Sequence, residues 1–100
     1  MIIFNTTYHT TKEKKQALIA FFKGEYIPQA IKGGYLQNPQ LARVMTDESE
    51  GSCFALQFEV VDEIALEKWY AIIGDRLNDR IGQQFGQHVA GFSTLLERID

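Results

Sequence analysis

Two histidines and one cysteine have the most versatile chemistry in this sequence. His9 and His88 stand near opposite ends of the chain, and Cys53 lies in the middle. A zinc site needs three or four ligands, and a reactive cysteine needs a basic or positively charged neighbour. No histidine can be placed beside Cys53 from the sequence. We therefore expect two surface histidines at strand ends, an inert cysteine, and neither a metal nor another cofactor.

A second set of residues could orient a small polar ligand instead of reacting with it. These side chains end in amide, hydroxyl, guanidinium or carboxylate groups: Asn5, Thr7, Arg43, Gln57 and Glu59. Alternation along the predicted strands places them on one face of a sheet, although a one-residue bulge would exchange the two faces. The alternative is a hydrogen-bonded dimer interface or a solvated surface, since a pocket needs convergent geometry.

Trp69 completes this predicted ligand-binding set. Its size, and that of the neighbouring Tyr70, suits the wall of a pocket. Both residues also flank an apolar stripe with helical spacing, which explains them as core residues without any ligand. Core packing is the simpler interpretation.

Four segments that must position these residues read as β-strands. They cover residues 2–9, 36–46, 53–60 and 89–99, and the third alternates most strictly between apolar and other side chains. Pro39 near the start of the second strand favours an edge position, because proline cannot donate to a ladder of hydrogen bonds. The polar turn at residues 47–51 joins the second and third strands into a hairpin.

The first helix is predicted between the first two strands. Thr10 and Glu13 have the spacing of a capping box, in which both side chains bind free backbone N–H groups at a helix start. Pro28 predicts a kink or break between Gly24 and Ile27. The glycines at 33–34 should end the helix.

The second helix is predicted to begin at Asp62, which can cap its N-terminus, and to end at Gly86. Its apolar residues recur in steps of three and four, so it needs a surface to pack on. They are Leu66, Trp69, Tyr70, Ile73, Leu77, Ile81 and Phe85.

The order βαββαβ predicts an α+β fold of the ferredoxin-like type, formed by residues 1–100 as a single domain. Its four-stranded antiparallel sheet would carry both helices on one face and leave the other face open. That open face is partly apolar, since it includes Ile3, Cys53, Ala55 and part of the last strand. A partner sheet or a ligand fits such a face better than water does.

Composition excludes several classes of partner. The net charge is −3, from 13 acidic and 10 basic residues, which does not suit binding to a phosphate backbone. The third strand has Gly51 after an acidic residue and only Phe54 in the place of a stacking aromatic, so it differs from an RNA-recognition module. No segment approaches the roughly 20 apolar residues of a membrane span. The single cysteine suits a reducing compartment, and we expect a cytoplasmic protein without nucleic-acid or membrane partners.

Several segments resemble a family of small bacterial proteins known only as a domain of unknown function, within the dimeric α/β-barrel superfamily. They are the opening MIIFNTT, residues 25–28 (EYIP), residues 41–44 (LARV), and residues 85–97 around FG and GFSTLLE. The resemblance extends over essentially the whole chain. It implies that two protomers pack their open sheet faces together, with a cavity between each sheet and its helices or between the sheets. It implies no established activity.

The same superfamily includes haem-degrading monooxygenases, cofactor-independent oxygenases and small isomerases. The haem-degrading branch has an asparagine on the first strand, then a tryptophan and a histidine on the second helix. Asn5 and Trp69 are similar to the first two, but no histidine lies between Asp62 and Gly86. The proximal iron ligand of that branch is therefore missing here.

Two hypotheses follow. The leading one is a homodimeric module that binds a small ligand or a protein partner at its sheet face and has no evident catalytic set. The alternative is a small cofactor-independent or haem-linked oxygenase or isomerase. That enzyme would use Asn5, Arg43, Glu59 and Trp69 around a cavity.

Overall fold

The computed structural model describes residues 1–100 and contains one antiparallel sheet of four strands. The strands are β1 (Ile2–Thr10), β2 (Gln37–Arg43), β3 (Ser52–Val60) and β4 (Val89–Glu97). Their spatial order is β2-β3-β1-β4. This order leaves β2 and β4 at the edges and confirms the edge position that Pro39 predicts for β2.

The first helical region connects β1 to β2. It consists of a 3₁₀ turn (Lys12–Lys14), α1 (Lys15–Phe21), a π-helical turn (Phe22–Tyr26), α2 (Ile27–Ala30) and a second 3₁₀ turn (Lys32–Gly34). The irregularity predicted from Pro28 is a widened turn, and helical geometry continues beyond it. A π-turn accommodates one extra residue without ending the helix. The region ends at two glycines, where Gly33 has φ 83° and Gly34 has φ 76°.

The predicted capping box at this helix is wrong. Thr10 is the last residue of β1, and its hydroxyl donates a hydrogen bond to the Thr11 carbonyl (3.1 Å). Thr11 is the residue that precedes the first helical turn, and no side chain caps the backbone there. The extra strand residue therefore moves Thr10 out of reach of the helix start.

The second helical region connects β3 to β4. It consists of α3 (Glu63–Trp69), a π-helical turn (Tyr70–Gly74), α4 (Asp75–Phe85) and a 3₁₀ turn (Gly86–His88). The predicted cap is confirmed, because Asp62 Oδ1 accepts a hydrogen bond from the Ala65 N–H (2.8 Å). Gly86 ends α4 with φ 55°.

The hydrophobic core lies between the sheet and both helical regions. Alternate residues of β1 and β3 point toward the helices, and the central Trp69 has no exposed surface. Its ring meets Phe4 edge-on, with ring centroids 5.6 Å apart. Both helical regions thus cover one face of the sheet, which is the predicted ferredoxin-like arrangement. None of the helices has the length and hydrophobicity of a bilayer-spanning segment.

Candidate functional site

The open face of the sheet is organised in rows that run across all four strands. The strand register gives the row Ala42, Ala55, Thr7, Phe92, then the row Gln40, Gln57, Asn5, Thr94. We call the second row the amide row, because three of its four side chains are carboxamides. A mostly apolar row, in which Thr7 is the polar member, therefore lies directly beside an uncharged polar row.

The amide row is partly satisfied within the protein. Gln57 Nε2 donates a hydrogen bond to Asn5 Oδ1 (3.2 Å), and Asn5 Nδ2 donates one to Thr7 Oγ1 (3.3 Å). The structure thus brings Asn5, Thr7 and Gln57 together as the sequence predicts. In this arrangement the three side chains hydrogen-bond one another across β3 and β1.

Glu59 lies at the end of the same face and has two partners of its own. Its carboxylate accepts hydrogen bonds from Asn38 Nδ2 (2.6 Å) and from the Arg98 guanidinium (3.0 Å). Asn38 belongs to a bulge in β2, where the register shifts between Gln37 and Gln40, and it has φ 51°. Asparagine tolerates this left-handed conformation better than most residues. Glu59 therefore fastens the bulge and the C-terminal segment to the sheet.

Arg43 lies on the other face, which corrects the sequence-based placement. It pairs with Phe54, and two residues earlier Leu41 pairs with Leu56, so both face the helices. The bulge adds one residue to β2 and exchanges the faces after it. Arg43 lies 3.6 Å from Glu48, which Lys15 also approaches (3.4 Å). A hydrogen bond from Ser52, followed by these two cations, lowers the pKa of Glu48.

Trp69 is also separated from the open face. Its indole Nε1 donates a hydrogen bond to the Ala30 carbonyl (2.9 Å), so the ring joins the two helical regions. This contact leaves the ring no free polar group, and the side chain is fully buried. The simpler interpretation as a core residue is confirmed, and Trp69 lies apart from Asn5, Thr7, Gln57 and Glu59.

His9 and Cys53 are direct cross-strand neighbours in the β1–β3 register. The sequence alone does not place a histidine beside Cys53, because the register of two strands cannot be deduced from their separate sequences, whereas the structure does. No hydrogen bond joins the two side chains, and no group of three or more His, Cys, Asp or Glu residues converges to hold a metal. His88 accepts or donates a hydrogen bond at Thr11 Oγ1 (3.0 Å).

A cleft opens on the helix-facing side of the sheet, between α4 and the strands β1 and β4. Its volume is about 310 Å³, which is at the lower end of the range of small-molecule sites. Phe4, Ile81 and Val89 contribute apolar walls. The helical layer covers β1 and β3 but leaves β4 largely exposed, so the cleft forms where the layer ends.

The polar groups of the cleft are all uncharged. Thr6 and Ser93 share a hydrogen bond between their hydroxyls (2.9 Å), and the Tyr26 hydroxyl donates to Asn78 Oδ1 (3.4 Å). Tyr8 lies beside Tyr26, and burial raises the pKa of both phenols. Each phenol therefore keeps its proton at neutral pH. The cleft can donate and accept hydrogen bonds, but it offers no ion pair.

Two glycines shape this cleft. Gly91 pairs with Tyr8 across the β1–β4 ladder, and a Cβ at position 91 would lie 2.7 Å from Tyr8 Cδ1. Only glycine leaves room for the tyrosine ring there. Gly82 lines the cleft from α4, and a Cβ at position 82 would have no heavy atom within 4 Å. The space beside Gly82 is therefore open.

The family resemblance implies a cavity between the sheet and its helices, but the ligand-binding set predicted from the sequence contains none of the residues that line this cleft. The available signal was the presence of hydroxyl groups, on Thr6, Tyr8 and Thr10, along the face of β1 that otherwise points into the core. A glycine inside a helix, at position 82, was a second signal, since glycine there costs helix stability. Neither signal identifies a cleft until the strand register and helix placement are known.

A four-stranded antiparallel sheet in this order, with two helical regions on one face, defines the ferredoxin-like class. The chain belongs to the DUF4286 family, a domain of unknown function, whose sequence pattern matches residues 1–99. The family resemblance seen in the sequence is thus confirmed. No curated protein matches the sequence.

Solved structures share the fold at low sequence identity. An antibiotic biosynthesis monooxygenase has a TM-score of 0.72 at 17% identity, over 100% of both chains. A dimeric ferredoxin-like protein from an uncultured marine organism has a TM-score of 0.72 at 14% identity, over 95% of this chain and 92% of its own. An ethyl tert-butyl ether (ethd) family protein from Bacillus halodurans has a TM-score of 0.71 at 16% identity, over 99% of this chain and 100% of its own. This likeness shows the fold.

Proposed function

We propose that the protein is a homodimeric small-molecule-binding protein. Two copies pack through their open sheet faces, and each protomer binds an organic molecule in the cleft between α4 and β4. The observation that carries the proposal is the contrast between the polar residues of the open sheet face and those of the cleft. Asn5, Thr7 and Gln57 hydrogen-bond one another on the open face, and a depression of about 260 Å³ beside Gln57 is lined by the paired charges of Glu59 and Arg98. The side chains around Tyr8 and Asn78 instead border an uncharged volume of about 310 Å³.

The amide row supports a second copy as the occupant of the open face. A carboxamide both donates and accepts hydrogen bonds, so a row of them is complementary to the same row in another copy. A two-fold axis brings identical surfaces together in this way. The neighbouring row adds Ala42, Ala55 and the exposed ring of Phe92, which is 66% accessible. Dimeric proteins among the structural neighbours are consistent with this arrangement.

Native mass spectrometry of the freshly purified protein tests the dimer, and a substitution locates its interface. Ala55→Arg places a long cation in the centre of the open face, which a monomer tolerates because the face is solvated. We expect the wild-type chain to have the mass of a dimer and Ala55→Arg that of a monomer. Ile72→Arg, at an exposed helix position, is the matched control and should remain dimeric. A monomeric wild-type protein would overturn the proposal.

Amide chemical shifts test the position of the ligand site. Small uncharged organic fragments should shift the backbone resonances of Gly82, Gly91 and Ser93, which border the cleft. The resonances of Asn5 and Gln57 should change less, because their side chains are already paired. Shifts confined to the open face would instead support the sheet-face site that the sequence suggests.

An enzyme is the second candidate, and one observation favours it. Hydroxyl groups from Thr6, Tyr8, Tyr26 and Ser93 surround a single cleft in a fold that an antibiotic biosynthesis monooxygenase shares. Fold likeness alone is a weak argument for activity. A cofactor-independent oxygenase would consume oxygen when a cleft-binding compound is added, and Tyr8→Phe should reduce this uptake. A haem-linked reaction has less support, since no histidine lines the cleft.

A further inference from the structure

We propose that the cleft selects an uncharged molecule that carries a hydrogen-bond acceptor, and that Gly82 sets how large this molecule can be. The inference rests on the proposed ligand-binding function and names the chemical class of its ligand. It follows from three features of the cleft, namely its lack of charge, its free donors and the empty space beside one helix residue.

The absence of charged residues is the first feature. No Asp, Glu, Lys, Arg or His side chain lines the cleft. A charged ligand would lose hydration on entering and would find no counter-ion, which costs far more than the desolvation of a neutral polar group. Its apolar walls, including Phe4 and Ile81, favour the body of an organic molecule. The cleft therefore discriminates against ions of either sign.

The hydrogen-bond donors are the second feature. Tyr26 directs its hydroxyl proton to the carbonyl oxygen of Asn78, which leaves the two N–H groups of that amide without a protein acceptor. Thr6 and Ser93 have two hydroxyl protons but use only one of them in their mutual bond. Burial raises the pKa of Tyr8, so its phenol also keeps its proton, with the hydroxyls of Tyr26 and Thr6 as its neighbours in the protein. A carbonyl, ether or ester oxygen is the complementary group.

The empty space at Gly82 is the third feature. Glycine inside α4 destabilises the helix relative to alanine. No packing contact requires it, since a Cβ at this position meets no atom within 4 Å. Gly91, by contrast, is required by the ring of Tyr8. Because Gly82 lines the cleft, we expect a larger side chain at this position to reduce the space available to the ligand.

Three fragments of similar size test the charge preference. Acetophenone is neutral and has a carbonyl acceptor, benzoate is an anion, and benzylammonium is a cation. Each is titrated at millimolar concentration into the uniformly ¹⁵N-labelled full chain at neutral pH. We expect acetophenone to shift the amides of Gly82, Gly91 and Ser93, and both ions to bind at least about tenfold more weakly.

Two substitutions test the role of Gly82. Leucine has a higher helix propensity than glycine, so Gly82→Leu should remain folded while its side chain fills the cleft. Acetophenone binding should fall at least about tenfold in this variant. Gln84→Leu adds the same side chain at an exposed position of α4 outside the cleft and should bind as the wild type does. Circular dichroism and thermal melting confirm that both variants are folded.

Each outcome has a distinct meaning. Equal or tighter binding of benzoate or benzylammonium in the cleft would overturn the charge preference but leave the proposed ligand site intact. Unchanged acetophenone binding in Gly82→Leu would overturn the role of Gly82. If none of the three fragments shifts the cleft amides, the proposed ligand-binding function fails, and this inference fails with it.

Discussion

Gly74 and Gly82 interrupt the same helical region, and the space beside each is used in opposite ways. A Cβ at Gly74 would lie 2.7 Å from Trp69 Cε3, so the indole ring already occupies that space. A Cβ at Gly82 would meet nothing within 4 Å. The Trp69 ring therefore fills the space beside Gly74, over the middle of the sheet, whereas the space beside Gly82, near β4, stays open. The same residue type supports packing in one place and access in another.

Trp69→Ala, in the filled part of the helix layer, should have the largest effect on stability. The change removes a fully buried ring and leaves the Ala30 carbonyl without its indole donor. We expect a loss of about 3–5 kcal/mol in the free energy of unfolding. Urea denaturation measures this loss, with Ile72→Ala at an exposed helix position as the control, which should change stability by no more than about 0.5 kcal/mol. A small loss of unfolding free energy in Trp69→Ala would show that the ring does not fill the space between the helices and the sheet there.

Gly74→Ala should have the next largest effect. The new methyl group would overlap the six-membered ring of Trp69, and neither the ring nor the helix backbone can move freely. Overpacking of this kind typically costs about 1–3 kcal/mol. The double variant Gly74→Ala/Trp69→Ala provides the sharper measurement. If the indole ring causes this loss of stability, Gly74→Ala should no longer lower the unfolding free energy when Trp69 is already alanine.

Alkaline pH should test the region between the filled part of the helix layer and the cleft, where Tyr8 and Tyr26 are buried. Burial raises the pKa of both phenols above 10.0, so the folded state holds protons that the unfolded state releases. Their contribution to stability is complete below pH 10 and is lost as the pH rises above it. We expect stability to fall by up to about 1.4 kcal/mol per pH unit for each tyrosine that stays protonated in the folded state. Tyr26→Phe should show a shallower fall; an identical slope would place the alkaline sensitivity elsewhere.

Gly82→Ala should have the smallest effect and the opposite sign. Alanine removes the conformational freedom of glycine in the unfolded chain and meets no atom in the folded one. We expect a gain of roughly 0.5–1 kcal/mol. Thermal melting beside Gly74→Ala shows the two signs directly. A loss of stability at position 82 would mean that this space is not open, and the contrast between the glycines would disappear.

The sequence predicts the architecture better than it predicts the site. Strict alternation in β3 and the cap at Asp62 both depend on residues close together in the chain, and the structure confirms them. The face of Arg43 depends on the bulge around Asn38, which adds one residue without a clear sequence signal. The pairing of His9 with Cys53 depends on strand register. Long-range geometry of this kind is set by packing, so local patterns do not contain it.

The cleft is an extreme case of this limit. Its walls come from β1 near the start of the chain and from α4 and β4 near its end, and its open volume results from side chains that are missing. A pattern of residues predicts where atoms will pack. It predicts less well where a layer of helices ends, because the width of that layer depends on how both helical regions lie across the sheet.

The edge position of β4 gives the cleft a movable wall. This strand is bonded to β1 alone, and beyond Val89 its residues are exposed, whereas β3 is bonded on both sides and buried at alternate residues. Segments with few buried contacts open locally at low free-energy cost. The amides of β4 should therefore exchange with deuterium before those of β3, and a ligand in the cleft should slow that exchange. Local opening of this one strand would widen the cleft, while the helices and the central strands stay in place.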